Sequence, residues 1–194
     1  TTQVALPLEQ PIQSHHKEPS PFTLPPGLLG EIAQFIYQAA PHPVPEIALA
    51  AAIGLMAGIA GRSYNVNGEG LNQYILLIAQ SGVGKEAMAS GIDKLMNTIK
   101  LQIPTSSRVI GPGEITSGEA LFKYLNNTSQ CFVSILSEFG YRLQSLSDKR
   151  DKAQLSLKRM LLDLYHKSGN GRAYKPKIYA DKDKNISETI SPSF

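Results

Sequence analysis

Large apolar residues recur every three or four positions in some stretches of this chain and run consecutively in others, and the alternation of the two patterns lays out its elements. Leu28, Leu29, Ile32, Phe35, Ile36 and Ala39 keep helical spacing. Prolines at 41, 43 and 45 end that helix, and a second begins near Pro45, because proline suits a first helical turn and not a helix interior. The runs Arg62 to Val66 and Asn72 to Ala79 predict strands joined across Gly68 and Gly70. A helix is expected from Glu86 to about Lys100, with Ala87, Met88, Ile92, Leu95, Met96 and Ile99 facing inward. Ser107 to Ile110 is a short candidate strand broken by Gly111-Pro-Gly113. Thr116-Ser-Gly-Glu119 has capping-box spacing and predicts a helix over Ser117 to Asn126, and Cys131 to Leu136 predicts a third strand. A helix from about Lys152 to Ser168 would bury Ala153, Leu157, Met160, Leu161 and Leu164, with Gly169 as its stop. Strands alternating with amphipathic helices predict an α/β fold, a parallel sheet between two helical layers. Two helices precede it, and two short arms from Arg172 to Ser191, around a polar tip at Asp181 to Asn185, predict a C-terminal β-hairpin.

Composition adds boundaries. Residues 1–26 carry prolines at 7, 11, 19, 21, 25 and 26 with few large apolar residues, which predicts an extended linker; His15 and His16 lie in it without further metal-ligand partners at suitable spacing. Residues 27–66 form a helical lead-in, and residues 67–194 the core. The chain opens Thr-Thr-Gln and stops within an apolar segment, Ile190 to Phe194, so a truncated piece of a longer protein is expected. One cysteine, Cys131, excludes an internal disulfide and fits a reducing compartment. The uncharged run Ile47 to Ala60, with its Gly54 and Gly58 pair, is shorter than the ~20 residues a membrane span needs, so it predicts a buried, closely packed helix and no membrane partner. The net charge of +3 is too small to argue for nucleic acid by itself.

The chemistry concentrates in Tyr74-Ile-Leu-Leu-Ile-Ala-Gln-Ser-Gly-Val-Gly-Lys-Glu86, where an apolar run ends in a glycine-rich turn with a lysine at the foot of a helix. That is the layout of a phosphate-binding loop. Glycines let backbone N–H groups turn toward phosphate oxygens, lysine adds a point charge, and the helix points its positive end at them. Gln80, Ser81, Gly82, Val83, Gly84, Lys85, Glu86 and Ala87 are the candidate nucleotide-binding residues. The match is degenerate, because Ala79 replaces the first glycine and Glu86 the hydroxyl residue that normally holds Mg²⁺; a plain glycine-containing corner is the competing reading.

A hydrolytic site needs acidic groups on a neighbouring strand, and Phe132-Val-Ser-Ile-Leu-Ser-Glu138 offers Glu138 as the catalytic carboxylate beside Lys85, with Ser137 in the place of a metal-associated aspartate. Glu86 and Ser137 are therefore candidate Mg²⁺ residues by a compensating exchange, the rival being a site that binds nucleotide and turns it over slowly or not at all.

Leu24-Pro-Pro-Gly27, the Pro-Glu-Ile-Ala-Leu-Ala helix ending in Ala60-Gly-Arg62, the loop Ser81 to Glu86 and Ser134-Ile-Leu-Ser-Glu-Phe-Gly140 together make the chain resemble the helicase-like P-loop ATPases of phages, plasmids and mobile elements. The resemblance runs from Leu24 to the C-terminus. It implies a RecA-like or AAA-type core, ATP and Mg²⁺ as cofactors, ring-shaped homo-oligomers, a role in replicating DNA, and a primase domain preceding it in the same chain. It also implies a cationic finger from a neighbouring subunit, for which Arg142, Arg150, Arg159 and Arg172 are equivalent candidates. In such rings a hairpin after the acidic motif carries basic residues to single-stranded DNA, and Lys182 and Lys184 are the matching positions; a solvated turn is the alternative.

The cations between Arg142 and Lys177 outnumber the acids there, yet a charged helix face is more often solvated than bound. The function expected is thus an ATP-hydrolysing motor fragment of a replicative helicase-like protein. The alternatives are a nucleotide-binding assembly module with little turnover and, less consistent with the leading helices, a small-molecule kinase.

Overall fold

The computed structural model describes residues 22–61, 63–80, 83–137, 139–147, 150–175 and 190, and every structural statement below concerns those residues. Six α-helices carry the fold: α1 (Leu28–Ala39), α2 (Pro45–Ala60), α3 (Glu86–Gln102), α4 (Gly118–Asn127), α5 (Phe139–Ser147) and α6 (Lys152–Tyr165), with a 3₁₀ helix at Pro104–Val109 after α3.

The expected parallel-sheet α/β core is absent. Among the described residues 56% are helical and 5% in bridges, and no sheet forms. Asn72 to Ala79 runs without strand structure, Ser107 to Val109 belongs to the 3₁₀ helix, and Cys131 to Leu136 pairs with Ile110 only through one parallel bridge at Val133. The hairpin arms meet in a single antiparallel bridge, Tyr174 with Ile190, and the arms' remaining residues from Pro176 onward lie outside the described set. The physical reason is partnership. A strand buried on both faces needs neighbours on each edge and helices above and below. Here the apolar run is left half-covered, with Ile75 and Leu76 exposed and Ile78 88% exposed.

Helix-on-helix packing replaces the sheet. α1, α2 and α3 share a core of Ala33, Ile36, Ala48, Ala51, Ala52, Leu55, Ile92 and Met96. α2 is apolar nearly all round, as a helix buried between others must be. α4 and α6 build a second core from Leu121, Leu125, Leu157, Met160 and Leu164, closed by Phe132, Tyr174 and Ile190. The segment 131–136 runs between the two. Phe132 belongs to the second core while Val133 and Ile135 pack on the first, the two-sided alternation of extended chain.

The Gly54 and Gly58 pair does pack closely, against this extended chain rather than a helix. A Cβ at Gly58 would sit 3.0 Å from the Phe132 carbonyl, and one at Gly54 would touch Ile75 and Val133 at 3.6 and 3.9 Å. No described helix is long and apolar enough to cross a membrane.

Candidate functional site

The glycine-rich turn leads directly into α3. Gly84 has φ +87°, in the region where a side chain is strained, so glycine is required by the backbone there. Lys85 takes helical torsions, and the helix opens with Ala87 N–H donating to the Gly84 carbonyl (3.0 Å) and Met88 N–H to that of Lys85 (3.2 Å). The N–H groups of Val83, Gly84, Lys85 and Glu86 have no acceptor among the described residues, which leaves four consecutive donors at the positive end of a helix.

The Lys85 side chain folds back over the turn. Its Nζ donates to the carbonyl of Ala79 at 2.9 Å, linking the two ends of the loop and half-burying the stem. One donor of three is used there. Gln80 and Glu86 are exposed, Val83 half-buried and Ala87 buried. Ser81 and Gly82 lie outside the described residues.

The second chemical segment is described only in part. Ser137 is exposed ahead of α5, and Glu138, Lys182 and Lys184 fall outside the described residues. The two segments are nevertheless neighbours, since Ile75 on the way to Lys85 and Val133 on the way to Ser137 both lie against Gly54 of α2. Of the four candidate finger arginines, Arg142 is tied to Glu114 Oε1 (3.2 Å) and the Ile115 carbonyl (2.8 Å), and Arg172 to Glu69 and the His166 carbonyl. Arg159 stands exposed on α6.

The segment that feeds the loop is anchored to α6. Asn72 Nδ2 donates to the Leu164 carbonyl (3.1 Å) and the Tyr74 hydroxyl to that of Leu161 (2.6 Å), while the Tyr74 and Tyr165 rings lie 5.5 Å apart. Burial, helped by Tyr165, pushes the Tyr74 phenol well above its usual range; burial also raises that of Tyr124.

On the other side of the loop lies a residue the sequence did not single out. His42, in the turn between α1 and α2, passes against Gly84, a tertiary contact with no local signal beyond the prolines around it. Among the described residues no three His, Cys, Asp or Glu side chains cluster as a metal cage. A carboxylate at 86 and a hydroxyl at 137 are hard oxygen donors of the kind Mg²⁺ takes when phosphates and water supply its other ligands.

No family model, curated protein or solved structure matches this chain.

Proposed function

We propose that this chain binds ATP through the loop from Ala79 to Ala87, as part of a helicase-like ATPase acting on single-stranded DNA. The observation that carries the reading is the loop itself: four N–H groups in a row at the start of α3 with no acceptor among the described residues, and the Lys85 ammonium held at 2.9 Å over the carbonyl of Ala79. Anionic oxygens placed there would meet oriented donors and a positive charge at once. Lys85 binds the outer phosphates, Glu86 and Ser137 would hold a Mg²⁺ ion that would neutralise phosphate charge, and Glu138 orients the attacking water. The DNA-acting, ring-forming part of the reading rests on the resemblance alone.

Titration of ATP and Mg²⁺ into the wild type and Lys85→Ala tests it. Loss of a charged hydrogen bond of about 1.5–3 kcal/mol predicts ~10- to 100-fold weaker binding by the variant. Equal affinities, or no binding by either protein, end the proposal.

The second reading, an ATP-ordered assembly module with little turnover, is favoured by the missing sheet. Among the described residues no ladder joins the segments ending at Ala79 and Leu136, and a hydrolytic core uses such a ladder to set its carboxylate against the phosphates. Phosphate release stimulated by single-stranded DNA selects the first reading, and ATP-dependent association without release selects the second.

A further inference from the structure

α6 buries Leu157, Met160 and Leu164 in the core it shares with α4 and turns its other side outward. At 3.6 residues per turn, Lys158, Leu162, Tyr165 and, just past the helix, His166 fall along that outer side, flanked by Lys152 and Arg159. All six are exposed, Leu162 at 61% and Tyr165 at 44%. Charge pattern alone reads such a face as solvated. The tertiary structure adds rings to it. Tyr74, from the segment before the glycine-rich turn, donates its hydroxyl to the Leu161 carbonyl at 2.6 Å and sets its ring 5.5 Å from that of Tyr165, yet it remains 48% exposed. The His166 ring stands edge-on to Tyr165 at 5.2 Å. Three adjoining exposed rings therefore border a group of cations.

Those cations are not neutralised within the protein. Lys152, Lys158 and Arg159 have no acidic partner among the described residues, although Asp163 stands one turn from Arg159. Asp151, at the head of α6, directs one carboxylate oxygen to the Ala153 and Gln154 N–H groups. Asp163 is left as the acid on the outer side of the helix against three cations. An acidic protein would answer the cations and leave the rings unused, and a duplex keeps its base faces stacked inside. A single strand offers both phosphates and open base faces.

We propose that the outer side of α6, extended by Tyr74, is a docking surface for single-stranded nucleic acid, with a base stacked on Tyr165 and phosphates at Lys158 and Arg159. Lys158 lies two turns, ~10 Å, ahead of Tyr165, so one short strand running along the helix reaches both. This rests on the nucleic-acid part of the reading above and uses none of the glycine-rich loop, so the two are tested apart.

The test titrates the full chain against fluorescein-labelled oligothymidylate by anisotropy across a potassium chloride series. Wild type, Tyr165→Ala, Tyr165→Phe and the double variant Lys158→Ala with Arg159→Ala are compared, with a duplex of equal length and dextran sulfate as control ligands. The wild type is expected to bind the single strand more tightly than either control. Tyr165→Ala is expected to weaken single-strand binding about 5- to 100-fold, the worth of one stacked base, and Tyr165→Phe, which keeps a ring, to recover most of the loss. Removing two phosphate contacts should lower the salt slope by about 1.4, at ~0.7 per contact on a single strand. Both cationic side chains are exposed, so the double variant is expected to unfold at the wild-type temperature. If Tyr165→Ala and the double variant bind as the wild type does, with the same slope, this surface is overturned and single-strand binding elsewhere survives. An equal loss of dextran sulfate binding in Tyr165→Ala overturns the stacking. Failure of the wild type to bind the single strand overturns this inference together with the DNA part of the reading, and ATP titration of Lys85→Ala still decides the loop by itself.

Discussion

Lys85 and Tyr74 stand eleven residues apart in one segment and are held by opposite means. Lys85 lies over the loop through one bond to the Ala79 carbonyl, on a partly exposed side chain. Tyr74 is locked in place, its hydroxyl donating to Leu161 and its ring beside Tyr165. Burial first, and Tyr165 second, favour the neutral phenol in the folded state. Because the folded pKa is raised above the unfolded value near ~10, the stabilisation is complete below about pH 10 and is lost as pH climbs toward the folded value. Tyr74→Phe should therefore cost about 1 kcal/mol at neutral pH, the worth of one hydrogen bond. Above pH ~10 the gap between variant and wild type should narrow, since only the wild type has this phenol to ionise on unfolding. Denaturant midpoints across that range check it; a constant gap would show that the hydroxyl has no linked proton. At this scale the loop was legible in the chain, because Gly84 and Lys85 carry their meaning in their own torsions and charge. His42 was not legible, since nothing near it in sequence announces Gly84.

Helices were the elements that sequence pattern located best. α1, α3, α4 and α6 fall within a few residues of the apolar period that predicts them. Their caps are local as well. The capping spacing near α4 is realised one residue along, with Ser117 Oγ accepting from Ala120 N–H at 3.1 Å, while Glu119 accepts from Ser156 of α6. Asp151 accepts from both Ala153 and Gln154 N–H at 3.0 Å and so closes the start of α6. Asp151→Ala is expected to lower stability by about 1 kcal/mol, seen as a lower midpoint with unchanged denaturant slope. A larger loss would mean that α6 also depends on the cap for its packing on α4. α5, Phe139 to Ser147, was missed because it is only nine residues long and directly follows the segment read as a strand end with an acidic motif. The strands failed for a different reason. β-rich composition in Tyr74 to Ile78 describes a segment suited to a sheet, but pairing is a property of two segments, and among the described residues that run has no paired neighbour.

Over the whole molecule, two helical cores meet across one extended segment, and Phe132 is where they join. Its ring is fully buried, lies edge-on to Tyr124 at 5.0 Å, and its backbone presses on Gly58 of α2. Phe132→Ala should cost about 3–5 kcal/mol, a large part of the ~5–15 kcal/mol that holds a typical domain together. Unfolding followed separately through α2–α3 and α4–α6 should shift together in this variant; if only the α4–α6 half weakens, the cores are independent. The same junction ties the segment leading to the glycine-rich loop to α6, through Asn72 and Tyr74 reaching the carbonyls of Leu164 and Leu161.

Periodicity, proline and glycine placement and capping residues act over a turn or two of chain, so the sequence by itself determined where every described helix but α5 and the 3₁₀ turn lies, where the glycine-rich turn falls and which lysine it carries. Whether the apolar runs would find one another as a sheet, which surface the Gly54 and Gly58 pair would meet, and which turn would close on Gly84 depended on contacts between residues tens of positions apart. Those choices are made by competition for burial among whole elements, and here helix-on-helix packing around α2 won it.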